Sequence, residues 1–182
     1  MPDRTYVDPR IGGETRKTLC ISASTLVLGF LSILLPSATS AQATSTPEER
    51  SRWAEISHKL ESRPLDHSVN KDGEWAFNRL GEIHDIHVPL CAALLGEFND
   101  PKYKYRHQIT RQYMLASGAF LIENPDKAVD VAGMNAASVG SVLKVYSAIL
   151  QQKPDAKSKL LDDLLRKQSQ GKLDEALRKE CK

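Results

Sequence analysis

The stretch His84-Asp85-Ile86-His87-Val88-Pro89-Leu90-Cys91 gathers side chains able to do chemistry: two imidazoles, a carboxylate between them and a thiol. Imidazoles one helical turn apart can share a metal ion, and a neighbouring thiolate is a further soft ligand. Placed on a helix from about Glu74 to Glu97, the stretch looks different. One stripe reads Ala76, Leu80, Ile83, His87, Leu90, Leu94, and its neighbour reads Phe77, Gly81, His84, Val88, Cys91, Leu95. Both follow alternating steps of four and three, the pattern of a buried helical seam. Both histidines then face the core, while Asp85 and Pro89 fall on the wet side, where the proline bends the helix. On that helix His84 and Cys91 stand about 10 Å apart, too far for one tetrahedral ion. His87 and Cys91 could share one, but the sequence places no third ligand among His58, His67 and His107. The expectation is core histidines, no metal and no cofactor, with His84 and His87 the residues of any alternative metal, haem or small-molecule site.

A second stretch, Pro101 to Tyr113 (PKYKYRHQITRQY), carries Lys102, Tyr103, Lys104, Tyr105, Arg106 and Arg111. Read as a helix starting at Pro101, it crowds cations into the first turns. The macrodipole disfavours them there by a few tenths of a kcal/mol each. A local rule broken at small cost can mark function. These six residues are the candidate partner surface, facing an acidic protein or an anionic or glycan polymer of the cell envelope. The competing reading has the tyrosines packed and the lysine stems lying along apolar surface.

No catalytic residues emerge. The chain has no GxSxG elbow, no Gly-rich phosphate loop and no HExxH. The pairs Glu48-Glu49 and Asp162-Asp163 are adjacent, and neighbours on a helix point apart. Glu55-x-x-His58 is half of a di-iron motif without its second copy. A formal charge of +2 over 182 residues is too small to imply nucleic acid. These readings favour a non-enzymatic module that binds a protein or an envelope component.

The elements that must position these residues read as helix throughout, with no alternating run to mark a strand. Thr46-Pro47-Glu48-Glu49 is a capping box with proline at the first helical position. Helices are expected at Pro47–Ser62, Glu74–Glu97, Pro101–Glu123, Pro125–Gln152, Pro154–Gln170 and Lys172 onward, with Leu65 to Gly73 a loop. Buried stripes are Trp53, Ile56 and Leu60; then Ile109, Tyr113, Ala116 and Phe120. Gly133, Ala136, Ala137 and Gly140 would let a neighbouring helix approach closely. Short connections make antiparallel neighbours, so the fold class is all-α: a bundle or stacked antiparallel hairpins of five to six helices. The segments HKLESRPLD, KDGEWAFNRL, FLIENPDKA and the late GKL resemble stretches of uncharacterised exported all-helical proteins of soil bacteria. The resemblance implies export and carries no site. GKLDEALRK also resembles the second helix of a tetratricopeptide repeat, but the helix-start prolines keep no fixed period, so it reads as an ordinary amphipathic helix.

The N-terminus sets the compartment. Arg16-Lys17 precede the apolar run Leu19–Leu35, and Ala41-Gln42-Ala43 fits the A-x-A cleavage rule. Residues 1–43 read as a signal peptide cut after Ala43 or Ala41, leaving 44–182 as a single helical domain, periplasmic or secreted. Left uncut, the run falls short of the roughly 20 residues of a full bilayer span and would be the chain's membrane contact. Cleavage removes Cys20 with four basic and three acidic residues, so the charge falls from +2 by one unit. Cys91 and Cys181 remain, and an exported domain with two cysteines favours a disulfide between them.

Overall fold

Four helices of this chain begin where a side chain receives the first free backbone N–H groups, and the position of proline alone does not set a helix start. The structure, a computed structural model, describes residues 43–181; the signal segment and its cleavage positions lie outside the described residues but for Ala43. Helix α1 (Pro47–Ser62) is closed by the capping box: Glu49 N–H donates to Thr46 Oγ1 at 3.2 Å, and Thr46 N–H donates to Glu49 Oε2 at 2.9 Å. Helix α2 (His67–Glu82) starts seven residues before the expected Glu74. The Asp66 carboxylate takes the N–H groups of Ser68 and Val69 at 2.9 and 3.1 Å, so the expected loop is helix. Gly73 lies inside α2 as a point of close approach. A Cβ there would stand 3.0 Å from Leu60 Cδ1.

The expected helix through the histidines is overturned. The chain leaves α2 at Ile83 (φ −89°, ψ 149°) and re-enters a helix only at α3 (Ala92–Phe98). Ile83 pairs with Ala43 in an isolated parallel bridge, His84 N–H donating to Ala43 O at 3.2 Å. Pro89 disfavours the α conformation at Val88 and supplies no N–H. No bent helix exists here, so neither seam runs on through the histidines as a helix face.

Helix α4 (Arg106–Glu123) begins five residues after Pro101. Asp100 accepts the Lys102 N–H on its side chain at 2.9 Å and the Tyr103 N–H on its carbonyl at 3.0 Å, so Pro101–Tyr105 is a turn. A 3₁₀ turn, Pro125–Lys127, precedes α5 (Val131–Gln152), which Asp130 caps through Gly133 N–H at 2.9 Å. Helix α6 (Lys159–Ser169) is capped by Ser158, again five residues past its proline, and α7 (Leu173–Glu180) follows. The described residues therefore form seven α-helices and no strand, one helix more than the upper expectation.

Helices α1, α4 and α5 pack antiparallel at the centre. One apolar cluster holds Trp53, Ile56, Leu60, Ala76 and Leu115; the other holds Phe98, Ile109, Tyr113, Tyr146, Leu161 and Leu177. A polar seam joins the central helices: Gln112 Nε2 donates to Ser57 O at 3.0 Å and Ser141 Oγ at 2.7 Å, and Ser141 Oγ donates to Glu61 Oε1 at 2.7 Å. Buried polar groups so matched fix which faces meet. Cys91 and Cys181 form the expected disulfide, Cα atoms 5.4 Å apart, tying α7 to the start of α3. No helix among the described residues is long and apolar enough to cross a membrane.

Candidate functional site

Two turns distant in sequence come together beside α5 and α6. The first, between α3 and α4, carries Lys102, Tyr103 and Lys104; the second, between α5 and α6, carries Lys153, Asp155, Ala156 and Lys157. Tyr103 ties them, its hydroxyl donating to the Ala156 carbonyl at 3.2 Å. Its ring meets Tyr105 and Tyr146 edge-on, centroids 6.0 and 6.5 Å away. Tyr146 anchors the second turn from below. Its hydroxyl donates to Asp162 Oδ1 at 2.7 Å and accepts the Ser158 N–H at 2.9 Å.

Two clefts flank Tyr103, each about 390 Å³. One is walled by Lys104, Tyr105, Lys153, Pro154 and Asp155, the other by Glu97, Phe98, Asp100, Lys159 and Leu160; Lys102, Tyr103 and Lys157 line both. Elsewhere Lys59 pairs with Glu55, Lys144 with Glu61, Lys167 with Asp163 and Lys179 with Glu175, while Lys71, Lys127 and Lys172 are unpaired among the described residues. Among the described residues, none of Lys102, Lys104, Lys153, Lys157 and Lys159 has a carboxylate oxygen within 4.0 Å. Burial, helped by the nearby Tyr146, Tyr105 and Asp162, raises the Tyr103 phenol well beyond its ordinary value. Burial likewise pushes Tyr146 up to about 12. Both hydroxyls therefore stay protonated and act as hydrogen-bond donors that hold the turns. The ammonium groups supply the site's charge.

The six residues expected as a partner surface divide. Lys102, Tyr103 and Lys104 line the clefts. Tyr105 lines one of them but is 9% exposed and belongs mainly to the core, with the Lys104 ammonium 5.7 Å from its ring centre. Arg106 turns back to donate to Pro101 O at 3.0 Å and braces the turn. Arg111 lies apart: it packs on Gly73, donates to Asn70 and has its pKa lowered by burial, so it is a joint between α2 and α4. The sequence reading missed Lys153, Lys157 and Lys159. The run KPDAKSK held a signal, lysines bracketing a turn proline, but nothing local says which turn it faces.

The histidines are corrected. His84 and His87 are exposed, because the segment that was to carry them into the core is extended. His87 edges a third cleft of about 380 Å³, with Arg50 and Asp85 beside an apolar wall that includes Ile86, Leu121 and Ile122. Asp85 accepts from Ser45 N at 3.0 Å, Ser45 Oγ at 2.7 Å and Arg50 at 2.6 Å, and the Ser45 bonds above all hold its carboxyl far below the usual range. His58 Nε2 lies 2.8 Å from Glu123 Oε1. Among the described residues no three His, Cys, Asp or Glu side chains converge as metal ligands, and Cys91 is taken by its disulfide. Comparison with known proteins finds no family, no curated protein and no solved structure that matches this chain.

Proposed function

We propose that the chain is an exported, non-enzymatic helical module that binds an anionic protein or envelope component in the clefts beside Tyr103. The observation carrying this reading is the gathering of Lys102, Lys104, Lys153, Lys157 and Lys159 from two distant turns, with no carboxylate paired to them. Five ammonium groups against the three cleft carboxylates Glu97, Asp100 and Asp155 leave a net positive potential, which draws and orients an anion. The compartment rests on the signal-like N-terminus and on the Cys91–Cys181 bond, which persists in the periplasm or outside the cell. Charge reversal of Lys102, Lys104 and Lys157 together tests it. Retention on native envelope should be lost with thermal stability nearly unchanged, since exposed charges contribute little to folding. Retention equal to the parent's would refute the site.

The cleft edged by His87 supports a second reading, a small-molecule carrier, because an apolar wall beside a few fixed polar groups is the usual form of such sites. A visible spectrum and metal analysis of the purified protein test it. A stoichiometric chromophore or metal lost on His87→Ala would favour this reading over the first.

A further inference from the structure

Resting on that reading of the lysine clefts, we infer that their ligand is a linear acidic polysaccharide, running from one cleft to the other across Tyr103. The first observation is that the charge is divided. Lys104 and Lys153 stand in one cleft and Lys159 in the other, while Lys102 and Lys157 line both at the ridge. A compact anion would meet only part of this set. A ligand using all of it carries several negative charges along a chain.

The second observation is the kind of cation. Neither cleft is lined by arginine. The guanidinium fork recognises carboxylate or phosphate by two parallel bonds, whereas lysine is a flexible point charge. The site therefore reads charge at intervals rather than the plane of one headgroup.

The third observation separates a sugar chain from a peptide or nucleic acid. Glu97 and Asp100 line one cleft and Asp155 the other, interleaved with the lysines. Asp100 accepts the Lys102 N–H, but none of the three has a cationic side chain within 4.0 Å among the described residues. An acidic chain without hydroxyls offers these carboxylates little to offset their repulsion. They accept hydrogen bonds from hydroxyls. A uronic-acid polymer presents both, a carboxylate for each ammonium and hydroxyls for each rim carboxylate. Tyr103 and Pro154 add apolar surface against which the C–H face of a sugar ring can lie.

Calorimetric titration of the purified, disulfide-intact protein tests this with three probes matched in carboxylate concentration: polygalacturonate, free galacturonic acid and poly-glutamate. Polygalacturonate should bind saturably, about tenfold or more tighter than either other probe, and weaken as salt is raised. Lys102→Glu and Lys157→Glu, at the shared ridge, should each weaken it by about tenfold, and Lys172→Glu, outside both clefts, should not. Equal binding of free galacturonic acid would overturn the requirement for a chain. Equal or tighter binding of poly-glutamate would overturn the sugar class while leaving an anion site in place. If no probe binds and the charge-reversed triple variant still keeps its envelope retention, the anion-binding reading falls as well.

Discussion

Asp85 helps fix the backbone that leaves α2. Periodicity sets it on the wet face of a helix, yet its carboxylate gathers Ser45 and Arg50, and residues 43–45 lie along the chain that leaves α2. Its depressed pKa means that this contribution is complete above the ordinary carboxylate value near 4 and is lost as pH falls through the lower, folded value. The Ser45 amide should therefore be protected from hydrogen exchange at neutral pH and lose protection in Asp85→Ala; equal protection in both proteins would contradict the contact. Gly118 makes a second prediction at this scale. A Cβ there would meet Trp53 Cζ2 at 2.8 Å, and the indole is fixed by Nε1 donating to Leu115 O at 3.0 Å. Gly118→Ala should destabilise the fold by about 1–3 kcal/mol in thermal or denaturant unfolding, and an unchanged midpoint would count against this packing. Trp53, Ile56, Leu60, Ile109, Tyr113 and Ala116 were legible as core because their spacing matches the helices they occupy. His84 and His87 were not, since a face can be assigned only after the helix is granted.

Helix was legible over most of the chain, but the break at residues 83–91 and several helix starts were not. Prolines 101, 125 and 154 were read as first helical residues, but each sits in the turn before its α-helix, Pro125 opening only the 3₁₀ turn, and Asp130 and Ser158 cap the helices that follow Pro125 and Pro154. Only Pro47, behind Thr46 and ahead of Glu49, has both halves of the capping box and truly opens its helix. Asp66 hid the start of α2, because a capping aspartate before a Gly-containing polar stretch also reads as a loop. The interruption between α2 and α3 gives a test. If Pro89 merely bent one long helix, Pro89→Ala would raise helical content; with the segment held by Asp85 and the Ala43–Ile83 bridge, far-ultraviolet circular dichroism should not change. The disulfide gives another. It spans 90 residues and fixes α7 beside Cys91, whose N–H donates to the buried Tyr113 hydroxyl at 3.1 Å. Replacing both cysteines with serine should cost about 2–5 kcal/mol, with α7 amides losing exchange protection first. Two free thiols in non-reducing mass spectrometry of the native protein would contradict the bond.

At the scale of the whole molecule, the described residues 43–181 belong to one compact unit whose three central helices are joined by buried polar bonds and whose shorter helices close its edges. The candidate site belongs to those edges. Half of it was legible: the cations Lys102 and Lys104 break the dipole rule of a presumed helix start, and the structure relieves that conflict by making Pro101–Tyr105 a turn. The other half was not, because Lys153, Lys157 and Lys159 reach Tyr103 only through the antiparallel return of α5, and proximity across about fifty residues leaves no local trace. Amide chemical shifts recorded while polygalacturonate is added locate the ligand directly. The predicted result is saturable shifts clustered at residues 99–105 and 153–159, absent in the Lys102, Lys104 and Lys157 charge-reversed protein. Shifts centred instead on residues 85–89 and 121–128, around His87, or no shifts at saturating polymer, would contradict an anion site at Tyr103.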